Sequence, residues 1–186
     1  MSLSNKIWRT RQARIRTSER LKTNDFFSQI ILSYYTLFII GISIMLTDED
    51  EKLILVFSII VFATSIFVLA MNFKERAKLF QTSYIKMDEL CSCAEAYEKG
   101  VQNDDTKVKL KQVQAEYHFI LNITENHSTY DDLKVQCDIR NEDKEKYDNP
   151  DFTIFKWIKL IGYLIFQFSF KLVLLILPIC LLQYMI

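Results

Sequence analysis

The fold of this chain is decided by two charge-free apolar runs, FFSQIILSYYTLFIIGISIML at 26–46 and LILVFSIIVFATSIFVLAM at 53–71, which flank the acidic turn TDEDEK at 47–52. The first run has 21 residues, and as an α-helix it would be about 31 Å long, which matches the hydrocarbon core of a bilayer. A single chain of 186 residues could scarcely bury two such helices in its own interior. We therefore interpret the two runs as a transmembrane helical hairpin.

Basic residues are concentrated at the outer ends of this hairpin. Residues 1–25 carry seven Lys or Arg side chains against two acidic ones, and residues 74–78 add three more basic residues. The connecting turn has only Lys52. The positive-inside rule then predicts that the N-terminus and the segment after the hairpin are cytoplasmic, with Asp48–Glu51 outside.

The basic N-terminal segment, residues 1–25, is predicted to rest on anionic lipid headgroups, with an interfacial tryptophan as anchor. The candidate contacts are Trp8, Arg9, Arg11, Arg14, Arg16 and Arg20. A membrane surface explains the charge of this segment, so nucleic acid is not expected as a direct partner.

Few residues in the chain break helices, since it contains 3 Gly and 2 Pro while half of it is hydrophobic, which predicts long helices. Cys91 and Cys93 project about 200° apart on a helix and cannot easily clasp one metal. Cys137 is isolated and Cys180 lies in an apolar run. We expect reduced thiols, no metal and no cofactor. No cleavable secretory signal is expected either, because the first apolar run begins only near Phe26.

The segment after the hairpin has the spacing of two packed helices. Apolar positions recur at alternating intervals of three and four, which is typical of a helical seam. The first seam is Ala77, Phe80, Tyr84, Met87, Cys91 and Ala94, and the second is Leu110, Val113, Tyr117, Ile120 and Thr124. The short polar turn GVQNDD at 100–105 between them predicts an antiparallel pair. A charged helix or linker, NEDKEKYDNP, follows at 141–150.

The stretch ENHSTYDD at 125–132 gathers a histidine, hydroxyls, a phenol and carboxylates, and so invites an enzymatic interpretation. Ser128 and Thr129, however, stand three residues before Asp131 and Asp132, which is the spacing of a capping box at a helix start. Catalysis needs a nucleophile, a base and an orienting group held in a pocket, and here every candidate belongs to one local turn. We predict a helix N-terminus with no catalytic residues.

The last segment, 152–186, is apolar but contains Lys156, Lys159 and Lys171. Residues 160–182 are long enough to span, and a central lysine costs about 2.5–3.5 kcal/mol whereas the apolar side chains contribute about 5–10 kcal/mol. The alternative is an interfacial helix, a bend at Lys171 and a shorter embedded helix interrupted by Pro178. Both arrangements place this segment in or on the membrane.

These patterns predict an all-α membrane protein with four parts. Residues 1–25 form a basic cytoplasmic or interfacial segment, 26–71 the hairpin, 72–150 a cytoplasmic helical domain with an antiparallel pair, and 151–186 an apolar membrane-associated or spanning helix.

Each predicted span carries a stripe of small polar residues, which suits either close helix packing or the lining of a conduit after assembly. In the membrane segments the candidates are Gln29, Ser33, Thr36, Ser43, Ser58, Ser65, Asn72 and Lys171. An intramembrane lysine is expected to face protein or water, or to snorkel at a helix bend.

Three polar stretches together carry a family resemblance: IWRTRQARIRTSERLKTNDFFSQ at 7–29, NFKERAKLFQTSYIKMDEL at 72–90 and ENHSTYDDLKVQ at 125–136. With the hairpin, the region from Ile7 to Gln136 resembles the SLATT effectors (SMODS- and SLOG-associating two-transmembrane domains), in particular the subfamily found beside reverse transcriptases. The apolar tail after Pro150 extends beyond the two spans that define this family.

The resemblance implies a bacterial or archaeal inner-membrane effector of antiviral, abortive-infection defence. It implies assembly into a homo-oligomer that forms pores or disrupts the bilayer when a sensor, such as a reverse transcriptase or a nucleotide-signal system, is activated. The alternative is a membrane-anchored scaffold or sensor that recruits a partner through its cytoplasmic helices.

Overall fold

The structure is a computed structural model that describes residues 2–45, 51–100, 103–126, 128–142 and 153–185. Three features predicted above lie wholly or partly outside these residues. They are the outward acidic turn around Asp48, most of the charged segment that ends at Pro150, and His127.

The described residues are almost all α-helical, with no strand among them, which confirms the all-α prediction. The helices are α1 (Leu3–Met45), α2 (Glu51–Met71), α3 (Phe73–Lys99), α4 (Asp104–Ile123), α5 (Thr129–Glu142) and α6 (Ile154–Met185).

Helix α1 runs without interruption through the boundary that the sequence suggested between the basic segment and the first span. No proline occurs in its 43 residues, and its one glycine, Gly41, lies in the last turns. Nothing in the local chemistry therefore stops the helix at Asp25, although its composition changes there from basic to apolar.

The chain divides into two compact units. The bundle unit consists of Met1–Leu21 and Glu75–Ile161, and the membrane unit consists of Lys22–Lys74 and Gly162–Ile186.

In the bundle unit, α3 and α4 are antiparallel, as predicted. Arg76 near the start of α3 pairs with Glu125 just beyond the end of α4, at 2.8 Å. The first part of α1 is a third, unpredicted member of this bundle and is antiparallel to α3. Its Leu3 backbone N–H donates to Glu98 at 2.8 Å, while its Ser18 hydroxyl donates to the Ala77 carbonyl at 2.9 Å.

The main core of the bundle unit contains most of the two predicted seams together with one residue of α1. Its buried members are Ile7, Met87, Leu90, Cys91, Ala94, Val113, Tyr117 and Ile120. Ile7 is fully buried, so the basic segment also contributes apolar area to this core. Tyr84 of the predicted seam is only half buried, whereas Ser83 is buried, which rotates the inner face of α3 slightly from the predicted one.

The membrane unit exposes large apolar side chains along α1, α2 and α6. Ile44 and Leu69, for example, are 79% and 77% exposed. Segments long and apolar enough to cross a membrane lie within Leu3–Ile44, Ile54–Lys99 and Ile154–Cys180. An apolar surface of this extent requires lipid or protein against it, which identifies the chain as a membrane protein.

Helix α6 is continuous from Ile154 to Met185, with Pro178 inside it. Of the two arrangements left open above, the structure has the long unbroken helix, which neither ends at Lys171 nor stops at Pro178. Its first turns pack in the bundle unit, where Leu160 and Trp157 meet Leu133 and Cys137 of α5.

Candidate functional site: a buried ion-pair network and the membrane helices

The polar stretch before α5 is a helix start, as predicted. The backbone N–H of Asp131 donates to the Ser128 hydroxyl at 3.3 Å, and that hydroxyl donates to the Asp131 carboxylate at 2.7 Å. The first of these bonds satisfies one of the backbone donors that the first turn of a helix otherwise leaves open, and the second orients the hydroxyl.

Asp131 also makes contacts with α1 that the sequence did not predict. It is 1% exposed, and it accepts hydrogen bonds from the Thr17 hydroxyl at 2.8 Å and from the Arg20 guanidinium at 2.9 Å. Burial by itself raises the pKa of Asp131, but the bonds from Arg20, Ser128 and Thr17 and the charge of Arg20 outweigh it. The pKa of this carboxyl therefore lies below its usual value.

Three further arginines of α1 pair with carboxylates of α3 or α5. The pairs are Arg11–Asp88 at 3.1 Å, Arg9–Asp132 at 3.2 Å and Arg16–Asp138 at 2.9 Å. All six side chains keep some exposure, so each pair contributes modestly alone. Together with Arg20–Asp131 they fix which face of α1 meets the bundle.

Arg14 lies deepest in this network and is 1% exposed. Its guanidinium donates to the Ser83 hydroxyl and, at 3.5 Å, to the Ile120 carbonyl. Burial lowers the pKa of Arg14, and the nearby Tyr117 offsets this only in part. A cation held by a hydroxyl and a carbonyl connects α1 to α3 and α4, and an apolar side chain at this position would remove the donor that reaches the buried Ser83 hydroxyl.

The residues predicted to touch lipid headgroups thus have protein partners in the structure. Arg14 is enclosed, four arginines bind carboxylates, and Trp8 packs half-buried against the bundle core. These contacts account for the basic character of the segment without lipid. Headgroup contact by the exposed parts of the five other side chains stays a prediction.

In the membrane unit, the predicted polar stripe of α1 lies on an exposed face: Gln29, Ser33, Thr36 and Ser43 are all exposed. Thr36 donates to the Leu32 carbonyl at 2.8 Å and Ser43 to the Ile40 carbonyl at 2.8 Å. Hydroxyls bonded to their own helix tolerate contact with lipid, so Thr36 and Ser43 do not need water in a single chain.

The predicted stripe of α2 is shorter than its spacing suggested. Ser58 and Ser65 are half buried and donate to the Ile54 and Val61 carbonyls of the same helix, at 2.9 and 2.8 Å. Asn72 follows the last residue of α2 with a left-handed φ of 52°. The helical spacing that placed Asn72 on the same face as Ser65 therefore does not hold, because α2 ends at Met71.

Two contacts join α6 to α1, and the first of them involves Lys171. Its ammonium group sits over the Phe27 ring at 5.0 Å from the centroid. The Tyr35 hydroxyl donates to the Leu174 carbonyl at 2.9 Å. The two contacts advance in the same direction along both helices, so α1 and α6 run parallel within the membrane unit. Tyr35 was not among the residues that the sequence singled out.

The cysteines show no sign of a shared ligand set. Cys91 is buried and Cys93 is exposed; burial and the neighbouring Glu95 raise the pKa of the Cys91 thiol to about 11, which keeps it protonated. Within the described ranges, no three His, Cys, Asp or Glu side chains gather as metal ligands.

Neither a curated protein nor a solved structure matches the chain. A family model does match, over residues 1–186, and its description is SMODS and SLOG-associating 2TM effector domain family 5. The match covers the apolar tail as well as the hairpin, the ion-paired bundle and the α5 cap. This chain therefore belongs to the SMODS and SLOG-associating two-transmembrane effector family 5.

Proposed function

We propose that this protein is an inner-membrane effector of bacterial or archaeal antiviral defence that oligomerises on activation and forms pores or disrupts the bilayer. Membership of a two-transmembrane effector family supports the effector role. The observation that carries the membrane-active role is the exposed polar face of α1, where Gln29, Ser33, Thr36 and Ser43 share one side of an apolar helix. Several such faces can meet only when protomers associate.

We place the bundle unit in the cytoplasm and the connection between α1 and α2 outside. The positive-inside rule supports this orientation, because basic residues flank the outer ends of the hairpin. Helix α6 is parallel to α1 in the membrane unit. On this proposal α6 crosses in the same direction as α1, which leaves the last turns of α6 at the outer side.

The proposed trigger is an upstream sensor that acts on the cytoplasmic bundle, either a reverse transcriptase or a nucleotide-signal system. The resemblance of the polar stretches to the reverse-transcriptase-associated subfamily favours the first. The proposal assigns no catalytic step, metal or cofactor to this chain, and its partners are the lipid bilayer and further copies of itself.

A second function has one observation in its favour. Phe119 and Ile123 on α4 are 62% and 65% exposed and lie one turn apart on the outside of the bundle. Such a pair suits recruitment of a partner protein by a membrane-anchored scaffold, in which the apolar helices serve only as anchors.

Membrane potential distinguishes the two functions. Cells that express the chain together with its activating system should depolarise if it is an effector and keep their potential if it is a scaffold. Depolarisation should also rise more steeply than in proportion to the amount of protein, because assembly precedes leakage.

Variants test the polar faces directly. Ser33→Leu, Ser65→Leu and Lys171→Leu should change conductance or toxicity at equal membrane insertion, while Ser92→Leu on exposed α3 surface serves as the control. Parent-like depolarisation by all three would rule out the polar-face mechanism and favour bulk disruption of the bilayer.

A further inference from the structure

The proline inside α6 has a consequence for one backbone carbonyl. In an α-helix the N–H of each residue donates to the carbonyl four residues earlier. Pro178 has no N–H, so the hydrogen bond that would end on the Leu174 carbonyl cannot form. Pro178 is also fully buried, which places this defect in a packed part of the helix.

The Tyr35 hydroxyl donates to that same carbonyl, at 2.9 Å. An unsatisfied carbonyl is costly in hydrocarbon, where no water replaces the missing donor. Pro178 thus removes the regular donor to the Leu174 carbonyl, and Tyr35 of α1 supplies another donor to it. One turn away on α6, the Lys171 ammonium group lies over Phe27 of the same helix α1.

We propose that Tyr35 is the docking residue for α6: its hydroxyl replaces the bond that Pro178 denies to Leu174, and this contact holds α6 against α1 in the resting protein. Tyr35 thereby makes α6 an integral third helix of the membrane unit, rather than a loosely attached tail.

The docking is a conformational latch, an inference that rests on the proposed function. When α6 leaves α1, the Leu174 carbonyl and Lys171 both lose their partners. In a bilayer the separated helix then needs water or another protomer to satisfy them. Release of α6 is therefore coupled to water entry and assembly, and the Tyr35 contact keeps a single chain inactive.

The test is a double-mutant cycle on the full chain in detergent. Tyr35→Phe removes the hydroxyl and keeps the ring, and should lower the thermal midpoint by about 2–4 °C. Pro178→Ala restores the helical donor to Leu174, so Tyr35→Phe in that background should shift the midpoint by less than half as much. Tyr34→Phe, which removes the adjacent hydroxyl, is the matched control and should shift it little.

Equal effects of Tyr35→Phe in the two backgrounds would overturn the assignment, as would an equal loss in Tyr34→Phe. This readout does not depend on leakage and so stands apart from the proposed function. In cells, Tyr35→Phe should depolarise the membrane at a lower expression level than the parent, and in the Pro178→Ala background Tyr35→Phe should add little further shift. A cycle that couples in detergent without any shift in cells would overturn the latch and leave only the docking.

Discussion

Replacing Asp131 by Ala should destabilise the bundle unit more than removing any other carboxylate among the residues that the structure describes. The change deprives the Thr17 and Ser128 hydroxyls and the Arg20 guanidinium of one shared acceptor. Breaking a fully buried pair costs about 3–5 kcal/mol, but the Arg20 side chain is 26% exposed and water can reach it. We therefore expect a loss of about 2–4 kcal/mol, which lowers the thermal midpoint of the detergent-solubilised chain by roughly 5–10 °C.

Asp104→Ala is the matched control, because Asp104 also lies in a helix first turn and binds a cation, Lys107, yet its side chain is 99% exposed. Its loss should cost less than about 1 kcal/mol. If Asp131→Ala melts within a degree or two of Asp104→Ala, then the buried network does not stabilise the bundle and the reasoning is refuted. Asp131→Asn should fall between the two, since an amide oxygen can still accept one bond.

The same carboxylate predicts the sign of a pH effect. Its pKa is lowered in the folded chain, so its contribution to stability is complete above the unfolded pKa of about 4 and disappears as pH falls through the lower, folded value. The difference in thermal midpoint between parent and Asp131→Asn should therefore be constant from neutral pH down to about 4 and shrink below it. A difference that shrinks between pH 7 and 5 would contradict the assignment.

Two other predictions address the core and the orientation. Phe80→Asp buries a charge in the bundle, so it should unfold the unit and abolish effector activity. Lys86→Asp on the exposed side of α3 should do neither. Unchanged helicity and activity in Phe80→Asp would show that the assigned seam is wrong. With the native cysteines replaced, an impermeant maleimide should label Glu49→Cys on intact cells and Gly100→Cys only after permeabilisation. Labelling of Gly100→Cys alone from outside would reverse the topology.

The sequence predicted those features that depend on local spacing. The apolar runs located α2 and the second half of α1, the three-and-four spacing found Val113, Tyr117 and Ile120, and the hydroxyl before two carboxylates marked the start of α5. Each of these signals is contained within one helix, so one sequence carries it whole.

The features that were missed depend on partners distant in the chain. An arginine at helical spacing looks the same whether it faces a headgroup or a carboxylate, and the partner of Arg20 is 111 residues away. Asp131 likewise was expected to belong to the capping box of its own helix, since nothing local shows that Thr17 lies opposite it. The sequence clue to Tyr35 was Pro178, because a proline inside a helix leaves the carbonyl four residues earlier without its backbone donor. Nothing in the sequence shows which residue supplies the replacement donor.

On the proposed function, the polar groups of the membrane unit give a reason for activation to involve more than one chain. Thr36, Ser58 and Ser65 each donate to their own helix, and α1 supplies partners for the Leu174 carbonyl and for Lys171. A single chain in lipid therefore has little to gain from admitting water, because these groups are already bonded. Water becomes favourable only where several polar faces converge and compete for the same bonds, and that convergence requires assembly. Leakage should accordingly follow a power of protein density greater than one, and leakage strictly proportional to density would mean that one chain perturbs the bilayer alone.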